Sequence, residues 1–282
     1  MYRLSQPAPD LAPFIESYWH VDATPDAPFA LTVDVFVDGR ADLVFNFGVG
    51  YQRSVPGCPP RLLRHGNLDA QRLTPIRIEQ RGAVQIVGAR FRAGGLMPFV
   101  EHSLHRWTGA VVGLVEAFGP TVGPLEVALR DRAGHAAAQA AVLDAWFIER
   151  LSMSPAKRAA FDMVQRVTAS RGSARVEDLA RDAGLSFRTV DRLFRRHVGF
   201  APKTWARIVR FQRALERLKV DPGCTLSQVA AELGYYDQSH LAREYRRFSG
   251  NAPGRHAGFF PEDAPTDFAP NVVRFVQDAD RG

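Results

Sequence analysis

Residues 176–184 read VEDLARDAG, and residues 226–234 read LSQVAAELG. At an offset of 50, Leu179 falls on Val229, Ala180 on Ala230 and Gly184 on Gly234. Beyond the glycines the offset becomes 51, and Val190 falls on Leu241, Phe194 on Tyr245, Gly199 on Gly250 and Pro202 on Pro253. One supersecondary unit therefore occurs twice, with a turn one residue longer in the second copy. Each copy reads as a helix, a glycine turn and a second helix. The alanine one turn before the glycine lets two helices cross closely, and the glycine can take the left-handed conformation that ends the first helix. Ser186 and Asp237 fall where N-caps of the second helices belong, and Thr225 with Gln228 has the spacing of a capping box. This is the helix-turn-helix plan, whose second helix is free to enter a major groove.

At 100° per residue the second helices separate cleanly into faces. Val190, Leu193 and Phe194 cluster on one side of the first, with Arg188, Arg192, Arg195 and Arg196 opposite. In the second copy Leu241, Tyr245 and Phe248 form the core side, with Ser239, Arg243, Arg246 and Arg247 opposite. A solvated face mixes both signs of charge, whereas these repeat cations at matching places. Residues near each helix start reach deepest, so Arg188, Thr189, Asp191, Arg192, Gln238, Ser239, His240 and Arg243 are the candidates for reading base edges. Asp191 either accepts from a cytosine amino group or orients a nearby arginine. Arg195, Arg196, Lys203, Arg246 and Arg247 lie further along and are candidates for phosphates.

Charge follows the repeat. Residues 1–151 carry 14 Lys+Arg and 15 Asp+Glu, residues 152–259 carry 20 and 10, and residues 260–282 carry 2 and 5, giving −1, +10 and −3. The total of +6 thus rests on the middle segment, whose expected partner is a polyanion. These segments are read as a sensing or dimerisation domain, a DNA-binding domain and a tail.

The runs GLSFRTVDRLFRRHVGFAPKTW (184–205), RFQRALERLK (210–219) and VAAELGYYDQSHLAREYRRFSGNAPGRH (229–256) resemble the AraC/XylS transcriptional regulators. The likeness covers both copies and the helix between them. It implies seven helices, a connecting helix at about 204–219, and a monomer that reads two successive major-groove segments of a double-stranded operator, with RNA polymerase as a further candidate partner. Leu241 and Tyr245 replace phenylalanines common at those places. His240 matches a frequent family residue, which speaks against a metal role.

The first half reads as β-rich. Residues 31–37 (LTVDVFV), 41–47 (ADLVFNF) and 83–91 (AVQIVGARF) are strand-like runs between Gly/Pro-rich pieces. Residues 96–106 suggest a short helix, and 124–151 suggest two helices parted by Gly134, the second running into the basic segment. VVRFV (272–276) is a candidate returning strand. The fold class expected is α+β with two domains. A barrel- or sandwich-like sensor ends in helices and precedes an all-α domain with two helix-turn-helix units. LAPFIESYW (11–19), DGRADLVFNF (38–47) and VGARFRAGG (87–95) resemble the amino-terminal domain of a less studied AraC-like group.

Tyr18, Trp19, Phe45, Phe47 and Phe91, with Arg40 and Arg90, could line an effector pocket or form ordinary core. His102 and His105 stand three apart, yet only Glu101 lies near to complete a metal site, so none is assigned. Cys58 could be a thiol sensor if Arg53, Arg61 and Arg64 approach it. No hydrolase elbow, phosphate loop or Cys–His signature points to an enzyme, and no cofactor is expected. No apolar run reaches a membrane span and the start lacks a signal peptide, so a cytoplasmic protein is expected. The reading is a sequence-specific DNA-binding regulator under a small effector or a homodimer signal. Its rivals are a ligand-independent repressor or architectural protein and a DNA-repair protein with an AraC-like reading head, which one cysteine in the first half disfavours.

Overall fold

The computed structural model describes residues 2–23, 30–221, 223–253 and 272–277. The first half is built from two antiparallel sheets. Its strands are β1 (Tyr2–Ser5), β2 (Ile15–Ala23), β3 (Ala30–Val35), β4 (Asp42–Asn46), β5 (Tyr51–Ser54), β6 (Arg61–Leu63), β7 (Asn67–Asp69), β8 (Ile76–Arg81), β9 (Val84–Phe91) and β10 (Val111–Gly113). One sheet runs β1-β2-β9-β4-β7-β10. The other runs β11-β3-β8-β5-β6, where β11 (Val272–Gln277) is the returning strand and pairs Val272 with Val35. The sheets do not close, so the architecture is a sandwich and not a barrel.

The first sheet is covered on both sides, which explains why β9 is apolar nearly throughout. Val44, Val84 and Ile86 face the second sheet with Tyr51 and Leu63. Leu43, Phe45, Val87, Ala89 and Phe91 face the helices instead. Those helices are α1 (Leu114–Phe118), α2 (Val122–Arg130) and α3 (Ala136–Arg150). Gly134 parts α2 from α3 at φ +78°.

Two helical expectations are corrected. Residues 96–106 form two short 3₁₀ turns, Met97–Phe99 and Leu104–Trp107, with Val100 extended between them. The Phe99 ring is held against Phe147 at 4.8 Å and Phe91 at 5.9 Å, and this packing overrides a continuous helix. The helix before the basic segment stops at Arg150. Pro155 holds Ser154 in an extended conformation, and Ser154 caps the next helix.

The carboxy-terminal helices are α4 (Pro155–Ala169), α5 (Val176–Asp182), α6 (Phe187–His197), α7 (Pro202–Val220), α8 (Leu226–Glu232) and α9 (Gln238–Ser249). The connecting helix, α7, is longer at both ends than 204–219. Six helices are seen among the described residues of this part, where the resemblance implies seven; residues 254–259 lie outside the described residues.

One apolar core runs through both halves, from Tyr18 and Phe91 to Phe194, Phe211 and Phe248. Polar contacts cross between the halves, among them the ion pair of Lys157 Nζ with Glu101 Oε1 at 2.9 Å. His105 Nδ1 and Thr108 Oγ1 both donate to the Gly199 carbonyl, at 2.9 and 2.8 Å, directly after α6. The Val37 amide donates to Phe248 O at 3.1 Å near the end of α9, and Gln212 Nε2 of α7 donates to Val37 O at 2.5 Å. Gly199 has φ +100°, and a Cβ there would lie 2.0 Å from Gln71 Nε2, so only glycine fits this junction.

His197 ends α6 in this junction, buried, with Nε2 unpartnered. Burial pushes its pKa down to about 4, with Arg196 and Lys157 adding to the shift and Glu101 opposing it. The unfolded chain therefore binds a proton that the folded chain refuses between about pH 6.5 and 4. Acidification across that window is expected to cost up to about 3 kcal/mol, at 1.36 kcal/mol per unit. Urea titrations of the wild type and His197→Phe at pH 7 and 4.5 check this. The wild type should lose more stability than the variant.

Candidate nucleic-acid interface

Each helix-turn-helix unit is set by its own short-range chemistry. Ser186 Oγ accepts from the Thr189 amide at 3.2 Å and Asp237 Oδ1 from the His240 amide at 2.6 Å, so both second helices begin where the caps predict. Thr225 Oγ1 accepts from the Gln228 amide at 3.2 Å while Gln228 Oε1 accepts from the Thr225 amide at 2.8 Å, a complete capping box. Gly184 and Gly234 hold φ +64° and +70° in the two turns. Val190 and Phe194 of α6 and Leu241, Tyr245 and Phe248 of α9 are fully buried, while Leu193 is half-buried at the edge.

The opposite faces are open. Arg188, Arg192, Arg195 and Arg196 are exposed on α6, as are Gln238, Ser239, Arg243, Arg246 and Arg247 on α9, and Lys203 near the start of α7. Thr189, Asp191 and His240 are half-buried. Asp191 Oδ2 pairs with Arg195 Nε at 2.7 Å, one turn along the same helix. Gln238 Oε1 accepts from Ser227 Oγ at 3.0 Å, and the His240 ring stands edge-on to Tyr235 at 5.3 Å.

The distribution of ion pairs concentrates charge on these faces. Arg166 pairs with Asp182, Arg181 with Asp178, Arg213 with Glu216, and Arg217 with both Asp221 and Glu232. These carboxylates neutralise arginines away from α6 and α9. Among the described residues, no hydrogen bond or ion pair engages the side chains of Arg188, Arg192, Arg196, Arg243 or Arg246. The positive excess of the segment thus stands on two matched helical surfaces.

Glu244 is a residue that reasoning on faces missed. It is buried in α9 and pairs with Arg207 of α7, fastening the second recognition helix to the connecting helix. The signal was present, because Glu244 shares the core side with Leu241, Tyr245 and Phe248. His240 Nε2 lies 3.8 Å from the same carboxylate.

The seven residues proposed for an effector pocket fall on both faces of the first sheet. Tyr18, Phe45 and Phe91 are fully buried toward the helices, with the Phe91 ring 5.6 Å from Phe147. The Tyr18 hydroxyl donates to Asp144 Oδ1 at 2.8 Å, and burial together with that carboxylate raises its pKa. Phe47 is half-buried under Arg130, whose guanidinium is 5.3 Å from the ring centroid. Trp19 lies on the other face, packed over Gly88. Arg90 is buried against Asp38 at 2.5 Å, and Arg40 pairs with Glu16 at 2.5 Å. A groove of about 530 Å³ does occur, but other residues line it, including Phe14, Ile148, Leu151, Met153, Phe161, Asp10 and Arg158. Cys58 is exposed between β5 and β6, and His102 rests on the Trp107 ring at 5.2 Å. No group of three or more potential metal ligands occurs among the described residues. No helix among them is long and apolar enough to cross a membrane.

Two family models match the chain. Residues 179–257 match a helix-turn-helix domain, and residues 3–113 match a domain of unknown function (DUF6597). No curated protein matches significantly. Among solved structures, the chain is similar to a probable AraC family transcriptional regulator from Rhodopseudomonas palustris CGA009, at 27% identity over 35% of this chain and 93% of that one, with a TM-score of 0.33. It is similar to ToxT from Vibrio cholerae at 8% identity over 81% and 95%, with a TM-score of 0.46. It is also similar to the C-terminal domain of AraT, a response regulator from Geobacillus stearothermophilus, at 18% identity over 41% and 95%, with a TM-score of 0.32.

Proposed function

We propose that this chain is a DNA-binding transcription regulator of the AraC type, a reading supported by the helix-turn-helix domain that residues 179–257 match. Each monomer reads two successive major-groove segments on one face of the duplex, α6 in one and α9 in the next. The observation that carries this reading is the repeat of exposed cations on both helices at positions related by the internal offset of 51: Arg192 with Arg243, Arg195 with Arg246 and Arg196 with Arg247. Segments one helical turn apart are separated by about 34–36 Å.

Arg188 and Arg243, nearest the helix starts, discriminate bases. Arg196, further along α6, holds a phosphate. Replacing Arg188 or Arg243 with alanine is expected to relax preference at one position of its half-site, by about 1–3 kcal/mol. Arg196→Ala should weaken binding to all sequences alike and flatten the salt dependence by about one unit of slope. Binding titrations against a duplex enriched from a random pool, repeated over several salt concentrations, distinguish the two. An Arg188→Ala profile matching that of Arg196→Ala would overturn the orientation of α6. Hydroxyl-radical footprinting on that duplex tests the whole arrangement, and protection of a single segment would count against the use of both units.

The amino-terminal half controls this engagement, through a small effector or a second copy of the chain. Support comes from where it touches the reading units. Gly199, held by His105 and Thr108, directly follows α6, and Phe248, held by Val37, lies in the last turn of α9. A shift of the first half would move the two recognition helices relative to each other. Thr108→Val removes one of these ties. It should alter affinity for the two-segment site while leaving affinity for a half-site unchanged.

A further inference from the structure

Among the Phe, Tyr and Trp side chains described within residues 2–253, Phe187 and Tyr236 alone are exposed, 51% and 93% accessible. The others there are buried or half-buried. Both exceptions sit at the start of a helix that presents the free arginines. Phe187 is the residue after the Ser186 cap, and Tyr236 is the residue before the Asp237 cap. A phenyl ring this exposed leaves apolar surface in water.

Helical geometry places Phe187 at the boundary of the two faces, about 20° from the buried Phe194 on one side and about 40° from Asp191 and 80° from Arg195 on the other. As the first residue of α6 it stands at the end of the helix that contacts base edges in this motif. A phenyl ring has no donor and no acceptor, so it cannot read the hydrogen-bond pattern of a base pair. The apolar feature that base edges present in the major groove is the C5 methyl of thymine.

We infer that Phe187 is a specificity residue that selects thymine by covering its C5 methyl group, beside the guanidinium contacts of α6. This rests on the reading of α6 as a recognition helix, and the ligand class is a thymine-containing duplex.

The test uses the full chain and a duplex enriched from a random pool, with each thymine replaced singly by deoxyuridine. That exchange removes the methyl and leaves every hydrogen-bonding group in place. One position is expected to weaken wild-type binding about three- to fivefold, the effect of one buried methyl group. Phe187→Ala should weaken binding to the unmodified duplex about tenfold and no longer respond to deoxyuridine at that position. Phe187→Leu, which keeps an apolar side chain, should retain part of the response.

If deoxyuridine has no effect at any position, or if Phe187→Ala keeps the full wild-type response, the assignment is overturned. Arg192→Ala separates this failure from a failure of the underlying reading. Weakened binding by Arg192→Ala with a silent deoxyuridine scan removes only the role of Phe187. Enrichment of no duplex, or unchanged binding by Arg192→Ala, removes the recognition surface and Phe187 with it.

Discussion

Phe211→Ala is expected to lower the unfolding free energy by about 3–5 kcal/mol, the usual cost of emptying a fully buried phenylalanine site. Whole domains are stable by only about 5–15 kcal/mol, so this is a large share. Phe211 lies midway along α7 with no exposed surface. Its ring centroid is 6.4 Å from that of Phe36 in the sandwich, 5.3 Å from Tyr245 and 5.4 Å from Phe248 in α9. Three rings from two separate elements therefore meet on one side chain of α7, and collapse of one element cannot fill the space. The loss should appear as a lower urea midpoint at unchanged slope if the core that runs through both halves unfolds as one unit. Separate transitions for the two halves would contradict that continuity. A loss under 1 kcal/mol would mean that the site relaxes freely, against the packing described.

Arg90→Met should cost a similar amount, about 3–5 kcal/mol near neutral pH, because removing one partner strands buried charge. Arg90 sits on β9 facing the second sheet, 2.5 Å from Asp38, 3.5 Å from Glu16 and 3.6 Å from Asp42. Burial works to raise the Asp38 pKa, but Arg90, Arg72 and Arg40 together hold it below the ordinary value. For Asp42, burial outweighs the help from Arg90 and Arg72, with Asp38 and Asp69 adding repulsion, and the pKa is raised. Without Arg90 both carboxyls should titrate higher in the folded chain than in the unfolded one. The variant then binds extra protons at these two groups when folded, so the stability they contribute is present at low pH and is lost as pH rises through those pKa values. The deficit against the wild type should therefore shrink between pH 8 and pH 5. A deficit constant across that range would show that lost packing, and not stranded charge, sets the cost.

The carboxy-terminal third was legible because its information is local. Glycine turns, Ser186 and Asp237 caps, the Thr225–Gln228 box and a 3.6-residue apolar period act within a few residues of one another, and the structure forms each where the pattern places it. The cationic faces follow from the same period, since a side chain 100° from the core residues has only solvent to enter. The strands at 31–37, 41–47 and 83–91 were legible for a similar reason, as β-branched runs between turn residues.

What is not local was decided by tertiary structure. Neighbours such as Tyr18 and Trp19 lie on opposite faces of one sheet, and no short-range signal says that α3 covers the first face and a second sheet the other. The aromatic set proposed as a pocket was thereby divided. Residues 96–106 had helical periodicity, but Phe99 gains more by packing on Phe91 and Phe147 than by continuing a helix. The pairing of Arg90 with Asp38, of Arg207 with Glu244, and of His105 with the Gly199 carbonyl joins residues 37 to 94 positions apart. Such contacts exist only after the chain has closed those loops, at an entropy cost that the continuous core offsets. Local periodicity determined that this protein exposes two matched cationic helix faces, and long-range packing decided how the rest of the chain holds them.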